Sequence, residues 1–579
     1  MSLFKTNSVK IVFIVTVLIT SLIFNHDIDF WKFKQNQYIV LFYMIVFSFL
    51  LFIIKTQKIK FNKLDLIIIL VLFITILSRF FRLNTFNEIH IINSFVLIIY
   101  FLAIKSLKLS VKEKNFYYQL LTLTGVFLCL YCLLELGGYV NPSNIYWNMK
   151  GNFPNPGPLA GFLSILFALV LYELFQKNIY SNIAKLISYL FSAIIMIFII
   201  IKSESRTAIL ASFSAFLILL YYYYLRKRVF AKYAAFAIIF PILFLIITIK
   251  STDSIAGRLL IWKISFFSFL EKPVMGIGYG MFQADYMNFQ AEYFSKNDTQ
   301  QEILLANANT QAFNEVLKFI IENGIIGTLL LLIGVLWISK NYNKKFTSAI
   351  SKTSVQSIVF YCSFAIFASF SYPLQFLPFK LLLLNQIALQ ETTTCLNIPK
   401  IKTFSVKIIG CCMSLFLLFI INKQYKAFRN WKEASELQFD NPTQSANLYK
   451  TAFNALENDD SYLIHYSRFF EETNPTEALS LLEKAKETGN SPLLQLKLAK
   501  LYEAKRDFEQ AEKSLLQRHY TNPHLFKPQE DLLDYYIRRS LFYKANWIAK
   551  RILQTPIKIP SEEVKNIITK AKHYINNNN

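Results

Sequence analysis

Apolar runs of about 20 residues recur along the chain up to about residue 421, and about 20 consecutive apolar residues cross a bilayer as a helix. Within hydrocarbon each helix satisfies its own backbone polar groups, so a series of such runs folds as a bundle of spanning helices. The composition agrees. Of 579 residues 54% are hydrophobic and the mean hydropathy is +0.36, too apolar for a soluble protein of this size. Beyond about residue 425 the composition turns soluble. The expected class is all-α: a polytopic membrane domain over 1–424 with about 12–13 transmembrane helices, and a helical domain over 425–579.

Spans are expected near 9–25, 38–55, 64–82, 88–105, 116–137, 157–176, 182–202, 206–225, 231–250, 313–339, 354–373, 376–391 and 404–422. With a cytoplasmic N-terminus, every loop that follows an even-numbered span is basic, from Lys55, Lys58, Lys60 and Lys63 to Lys400 and Lys402. The other loops are poorer in Lys and richer in Asn, Pro and Gly. This is the positive-inside pattern. It places the long 251–312 loop outside, in the periplasm of a bacterium, with Asn152–Gly157 and Ser203–Arg206 on the same side. Thirteen spans put the C-terminal domain outside as well, and twelve put it in the cytoplasm. The first run follows Lys5 and Lys10 without a small-residue cleavage site, so it reads as a retained signal anchor.

The net charge of +24 raises the question of nucleic acid. The Lys and Arg residues of the first part lie in short loops between apolar runs, where they act as topology signals, and no nucleic-acid partner is expected. Cys129, Cys132, Cys362, Cys411 and Cys412 lie in apolar runs, and neither the long loop nor the C-terminal domain contains a cysteine. No disulfide can hold either of them.

From about 425 onward a repeat of about 34 residues emerges. Tyr502, Phe508, Ala511 and Leu515 correspond to Tyr536, Phe542, Ala545 and Ala549, and to Phe469, Pro475, Ala478 and Leu482. Small alanines at fixed places in paired helices resemble tetratricopeptide repeats. Such domains bind a protein partner or position a neighbour. A purely structural appendage is the plainer reading.

Polar residues at the outer ends of the spans are the candidates for chemistry. Arg206 opens a helix and Arg258 lies just past the end of another. Both are expected on one rim, where a charge near lipid is expensive. Two guanidinium forks match a diphosphate bidentately, and snorkelling to headgroups is the alternative. Asn314 and Glu315 lie at the start of the tenth span. Glu315 either accepts a proton from an acceptor hydroxyl or is a favourable charge at a helix N-terminus. Asn152 and Asn155 either cap a helix or bind sugar hydroxyls. Asn309, Trp262, Gly278 and Gly280 complete the candidate substrate-binding set. Gly276-x-Gly278-x-Gly280 is not a dinucleotide fingerprint, since it follows Pro273 in an exterior loop, and its glycines allow tight turns. No cofactor is expected. Asp27-x-Asp29 resembles the pair of metal-using membrane glycosyltransferases, but so short a motif arises often by chance, and no metal site is assigned.

Taken in order, Gly151-Asn152-Phe153-x-Asn155-Pro156, Ser205-Arg206-Thr207-Ala208, Arg258-x-x-x-Trp262, Pro273-x-x-Gly276-x-Gly278-x-Gly280-x-Phe282 and Asn314-Glu315-x-Leu317 running into Glu322-x-Gly324 resemble the O-antigen ligase and polymerase superfamily of bacterial membrane glycosyltransferases. Fusion to tetratricopeptide-like repeats resembles a variant of that family. The resemblance implies transfer of a glycan from an undecaprenyl diphosphate carrier to an acceptor hydroxyl outside the inner membrane, with inversion and without a metal ion. Carried over by position, Arg206 and Arg258 bind the diphosphate. Many members carry His directly before the Asn of the tenth-span motif, and here that position is Phe313. No histidine occurs between His90 and His465, so no close substitute is expected in the core.

The acceptor is lipid A–core for a ligase, a protein for an O-oligosaccharyltransferase, or the growing glycan for a polymerase. Membrane lipids surround all three, and the repeats favour a protein or large assembly as a further partner. A transporter or lipid flippase would place its polar residues near mid-membrane, and a non-catalytic scaffold would not need both arginines.

Overall fold

The structure, a computed structural model, describes residues 7–24, 29–54, 63–86, 88–107, 109–140, 147–176, 179–225, 252–343, 352–390 and 403–578. Every regular element among them is helical. In the first part these are α1 (Asn7–Ile23), α2 (Phe30–Ile54), α3 (Lys63–Leu83), α4 (Ile89–Lys105), α5 (Val111–Leu136), α6 (Pro156–Leu174), α7 (Ile183–Lys202) and α8 (Arg206–Leu220). Then come α9 (Thr252–Glu271), α10 (Phe282–Lys296), α11 (Gln300–Leu305), α12 (Glu315–Asn343), α13 (Lys352–Phe370), α14 (Leu377–Ala388) and α15 (Thr403–Leu437). Among the described residues eight helices are long and apolar enough to span a membrane: α2, α3, α5, α6, α7, α8, α12 and α15. The apolar helices α1, α4, α13 and α14 are shorter. The expected ninth span, 231–250, lies outside the described residues.

The bundle is built around α6, buried almost throughout from Pro156 to Tyr172 and packed on α5, α7, α8 and α13. Gly161 permits the closest of these approaches, because a Cβ there would sit 1.9 Å from the Phe367 ring. The outer surfaces of α5 and α7 expose Phe127, Ile187 and Ile194, apolar area on a scale that suits lipid rather than water. The twelfth expected span is a helix, but one too short to cross. At 12 residues, α14 is about 18 Å long, less than a bilayer's apolar core. It lies inside the bundle, where the hydroxyls of Tyr100 and Tyr118 donate to Asn385 (3.0 Å) and Gln386 (3.1 Å).

The segment expected as an exterior loop over 251–312 is largely helical from Thr252 onward. It forms α9, α10 and α11 around a small core of its own that includes Leu260, Ile264, Tyr286, Phe294 and Ile303. It is anchored through its glycines. Gly324 breaks α12 with φ 66° and ψ −166°, and the Pro273–Gly278 stretch plugs the break. The amides of Ile277 and Gly278 donate to the carbonyls of Ile321 and Glu322 (both 3.0 Å), and Ile325 donates to Pro273 (2.7 Å). A broken backbone in a membrane helix persists where protein groups satisfy it. Side chains are excluded from this crossing. A Cβ on Gly324 would lie 2.3 Å from the Val274 carbonyl oxygen, and one on Gly276 would lie 2.5 Å from that of Glu322.

The C-terminal part contains α16 (Pro442–Leu456), α17 (Asp460–Phe470), α18 (Pro475–Thr488), α19 (Pro492–Ala504), α20 (Phe508–Thr521), α21 (Phe526–Arg538), α22 (Phe542–Gln554) and α23 (Glu562–Asn578). Helices pair as α17–α18, α19–α20 and α21–α22. The expected alanines, Ala478, Ala511 and Ala545, are fully buried in the second helix of each pair. The turns repeat as well: Arg506 and Ser540 both adopt positive φ, and the amides that follow bond back to Tyr502 and Tyr536 in the same way.

The expected boundary at 424/425 falls inside α15, which continues without a break from the apolar bundle into the repeats. The first turns of α2, which starts eight residues before the expected 38, reinforce this joint. Trp31 packs edge-on against Trp431 (5.0 Å between centroids), and Lys34 pairs with Asp459 at 2.5 Å.

Candidate functional site

The connections leading into α6, α12 and α14 meet through Asn155, Phe313 and Tyr372, and part of the candidate set gathers there. Asn155 caps α6, its Oδ1 accepting from the Gly157 amide at 3.0 Å, while its Nδ2 donates to the Tyr372 hydroxyl at 3.0 Å. Tyr372 lies between α13 and α14, and the Phe313 ring meets it edge-on at 5.2 Å. Phe313 adopts φ 52°, which turns the chain into α12 and presents its face to Arg258, 5.3 Å away. Arg206, the first residue of α8, is close enough for its charge to act on Arg258. Burial first, and then that like charge, pull the Arg258 pKa below the usual arginine value. The ring contact is favourable but weak beside a salt bridge, and among the described residues no carboxylate pairs with Arg258. Trp262, one turn further along α9, donates its indole N–H to the Ala312 carbonyl at 2.8 Å and so ties α9 to the segment carrying Phe313.

Glu315 adjoins this group. Its Oε1 accepts the Leu374 amide at 2.6 Å, which fixes the connection bearing Tyr372. Asn314 caps α12 through the Leu317 amide at 2.9 Å. Lys318, one turn deeper, donates to Gln311 (3.2 Å) and Gln375 (3.3 Å) and lies 4.0 Å from Glu322. Thus Arg206, Arg258, Asn155, Asn314 and Glu315 come together, with Trp262 behind them.

The other candidates stand apart from the arginines. Gly278 and Gly280 belong to the plug, with φ 101° and 75°, and the Glu322 carboxylate faces the amides of Gly280 and Phe282. Asn309 lies beside the Tyr286 hydroxyl in the loop core. Asn152 donates to the Ile23 carbonyl at 3.3 Å, at the end of α1. Asp29 caps α2 through the amides of Trp31 and Lys32, and Asp27 lies outside the described residues. Among the described residues no group of three or more His, Cys, Asp or Glu side chains is arranged to hold a metal ion.

One histidine reaches the neighbouring glycine plug, apart from Phe313. The tip between α3 and α4 brings His90 to the glycine plug, where its Nδ1 is 3.6 Å from the position of a Cβ on Gly280. Lys380 of α14 reaches the Tyr279 hydroxyl at 3.3 Å, and its charge acts on both His90 and Glu315. Sequence reasoning misses Tyr372, Lys318, Lys380 and Arg79 as candidates. A signal exists for three of them: Arg79, Lys318 and Lys380 are cations inside otherwise apolar runs, the feature that draws notice to Arg206.

The repeats dock on the 252–314 segment. Asn490 and Gln517 both donate to Asn288 of α10, Gln290 donates to the Thr521 carbonyl, and Arg551 pairs with Asp298 at 2.8 Å. The repeat domain and the 252–314 segment therefore share one side of the bundle. No curated protein matches the chain. The O-antigen ligase family model matches residues 191–332, a stretch that runs from α7 past the break in α12 and contains Arg206, Arg258, Trp262, the glycine plug, Asn314 and Glu315, so it is to an O-antigen ligase domain that this part of the chain is similar.

Proposed function

We propose that this protein transfers a glycan from an undecaprenyl diphosphate carrier to an acceptor hydroxyl on the periplasmic side of a bacterial inner membrane. The observation that carries this reading is the convergence of Arg206 and Arg258 on one rim, within the residues similar to O-antigen ligases. In glycan transfer the bond between the sugar carbon and the diphosphate oxygen breaks, and negative charge grows on the leaving diphosphate. Two preorganised guanidinium groups stabilise that charge where it develops. Tyr372 and Phe313 hold Arg258 in place, and Asn155 holds Tyr372. The acceptor oxygen attacks from the opposite side, which inverts the sugar carbon and needs no metal ion. Glu315, oriented by the Leu374 amide, is the carboxylate placed to receive the hydroxyl proton.

The acceptor is lipid A–core on the ligase reading. The repeat domain, clamped to α10, supplies the surface for a protein or large acceptor assembly. A gene deletion complemented by wild type or Arg258→Ala tests the reading, with lipopolysaccharide and membrane glycoproteins profiled side by side. The expected result is that wild type alone restores glycan on lipid A–core, while the variant accumulates the lipid-linked donor. Loss of glycan from proteins, with the lipopolysaccharide ladder intact, would move the acceptor to protein. Full complementation by Arg258→Ala would remove the diphosphate role.

A further inference from the structure

A second group of cations lies around Tyr279 and Gly280 of the glycine plug. Its most buried member is Arg79, 3% exposed. One Nη of Arg79 donates to the Tyr279 carbonyl at 3.2 Å and the other to Glu88 at 3.1 Å. Its Nε is buried and makes no hydrogen bond. Glu88 is also engaged by the amides of His90 and Ile91 (2.9 and 3.2 Å), so it caps α4. These contacts position His90 at the opening, with its side chain 49% exposed and Nε2 3.9 Å from Glu88. Gly280 provides the clearance, since a Cβ there would lie 3.6 Å from His90 Nδ1 and 3.7 Å from an Arg79 Nη. Lys380 closes one side, bonded to the Tyr279 hydroxyl. Lys34 stands on the other side and is neutralised by Asp459 of the repeats.

Arg79 is matched by Glu88 and Lys34 by Asp459, and the carboxylates of Glu315 and Glu322 act on Lys380 and Arg79. What stays unmatched is the buried Nε of Arg79, beside an open imidazole. A buried unsatisfied donor costs about 1–3 kcal/mol, and an incoming oxyanion relieves it. We propose that His90, Lys380, Arg79 and the Tyr279 hydroxyl form an oxyanion-binding recess that takes a phosphate or carboxylate group of the acceptor glycan. The assignment to the acceptor rests on the glycan-transfer reading above. Lys380 acts electrostatically on both His90 and Glu315, so a group anchored here presents a neighbouring hydroxyl toward Glu315. The donor diphosphate stays with Arg206 and Arg258.

The test reads occupancy of the recess and requires no turnover, so its outcome is separate from that of the complementation experiment. The full-length protein in phosphatidylcholine nanodiscs is treated with diethyl pyrocarbonate, and modification of His90 is followed by peptide mass spectrometry, with the exposed His573 as the control for reagent. The probes are a short oligosaccharide carrying one phosphate and the same oligosaccharide after phosphatase treatment. The phosphorylated probe should slow modification of His90 and leave His573 unchanged, and the dephosphorylated probe should do neither. Lys380→Met should weaken protection about tenfold, the loss of one charge-assisted hydrogen bond. Lys380→Arg should keep it, which separates charge from folding, and Arg258→Met should keep it too. Equal protection by both probes, or by neither, overturns the proposal. Loss of protection in Arg258→Met overturns it by making the recess part of the donor site. Protection in phosphatidylglycerol nanodiscs without any probe overturns the acceptor assignment in favour of a lipid headgroup.

Discussion

The arginine rim and the glycine plug both come from the stretch similar to O-antigen ligases, yet they treat their polar groups in opposite ways. In the plug, four backbone amides from two segments satisfy each other across the break at Gly324, and no room remains for a side chain. At the rim, Arg258 has an aromatic ring and a like charge for neighbours. The plug spends its hydrogen bonds internally and holds a shape. On the proposed function, the rim directs its positive charge at the donor diphosphate. Stability and function are therefore expected to separate by position, although few residues lie between the two.

The largest effect should come from Arg258→Ala. Transfer should fall about 10²–10³-fold, the range seen when one preorganised donor to a developing negative charge is removed, with the thermal midpoint unchanged or raised as the like-charge contact is relieved. A midpoint that falls in step with activity would break the comparison, because the rim would then be structural. The mirror experiment is Gly324→Ala. It should destabilise the protein by about 3 kcal/mol or more, since the backbone strain and the overlap with the Val274 carbonyl act together. Its readout is folded yield and thermal midpoint, and wild-type stability would show that the break tolerates a side chain.

A third, smaller effect sharpens the contrast with the repeats. Burial lowers the pKa of His519 to about 3 and that of His524 to about 4, with Arg551 and Lys558 adding to the shift. Both histidines are neutral in the fold and charge near 6.5 when unfolded. Their contribution is thus fully present above about 6.5 and is lost as pH falls toward about 4. Each histidine contributes at most about 1.4 kcal/mol of loss per pH unit in that window. Melting of the repeat domain followed from pH 7 to 4 checks this, and His519→Phe should flatten the slope. The smallest effect is expected from Arg551→Ala. Asp298 is 67% exposed, so this pair contributes under about 1 kcal/mol, read as a slight rise in amide exchange over α10. A large rise would make this single pair the main clamp between the repeats and α10.

Much of the architecture was legible from local pattern. The apolar runs at 64–82, 157–176 and 182–202 became α3, α6 and α7 within a few residues, because a span's length is set by the bilayer and its signal is contained in the run itself. Ala478, Ala511 and Ala545 were legible for a similar reason: a repeat states the same packing requirement three times. The segment from Thr252 to Asn314 was harder to read. Its apolar residues serve a small core shared among three helices, and none of those helices is apolar enough to carry a span's signal. The joint at α15 was hidden because composition changes near 425 while the helix does not.

The site divides along the same line. Arg206 and Arg258 stand out in the sequence because a cation at the end of an apolar run is costly to hold near lipid unless it meets an anion. His90 lies far along the chain from Phe313, and Lys380 sits within a short apolar run, so neither declares its place. By itself the sequence determined the class of fold, the long apolar helices and the repeating hairpins, since each is dictated by periodicity within a few tens of residues. The tertiary structure decided that Pro273–Gly278 fills the break at Gly324, that Tyr372 joins Asn155 to Phe313 and Arg258, and that Lys380 reaches Tyr279 at the plug where His90 also lies. These contacts link residues as far as 217 positions apart, and their energies depend on burial and direction, which exist only after the helices have packed.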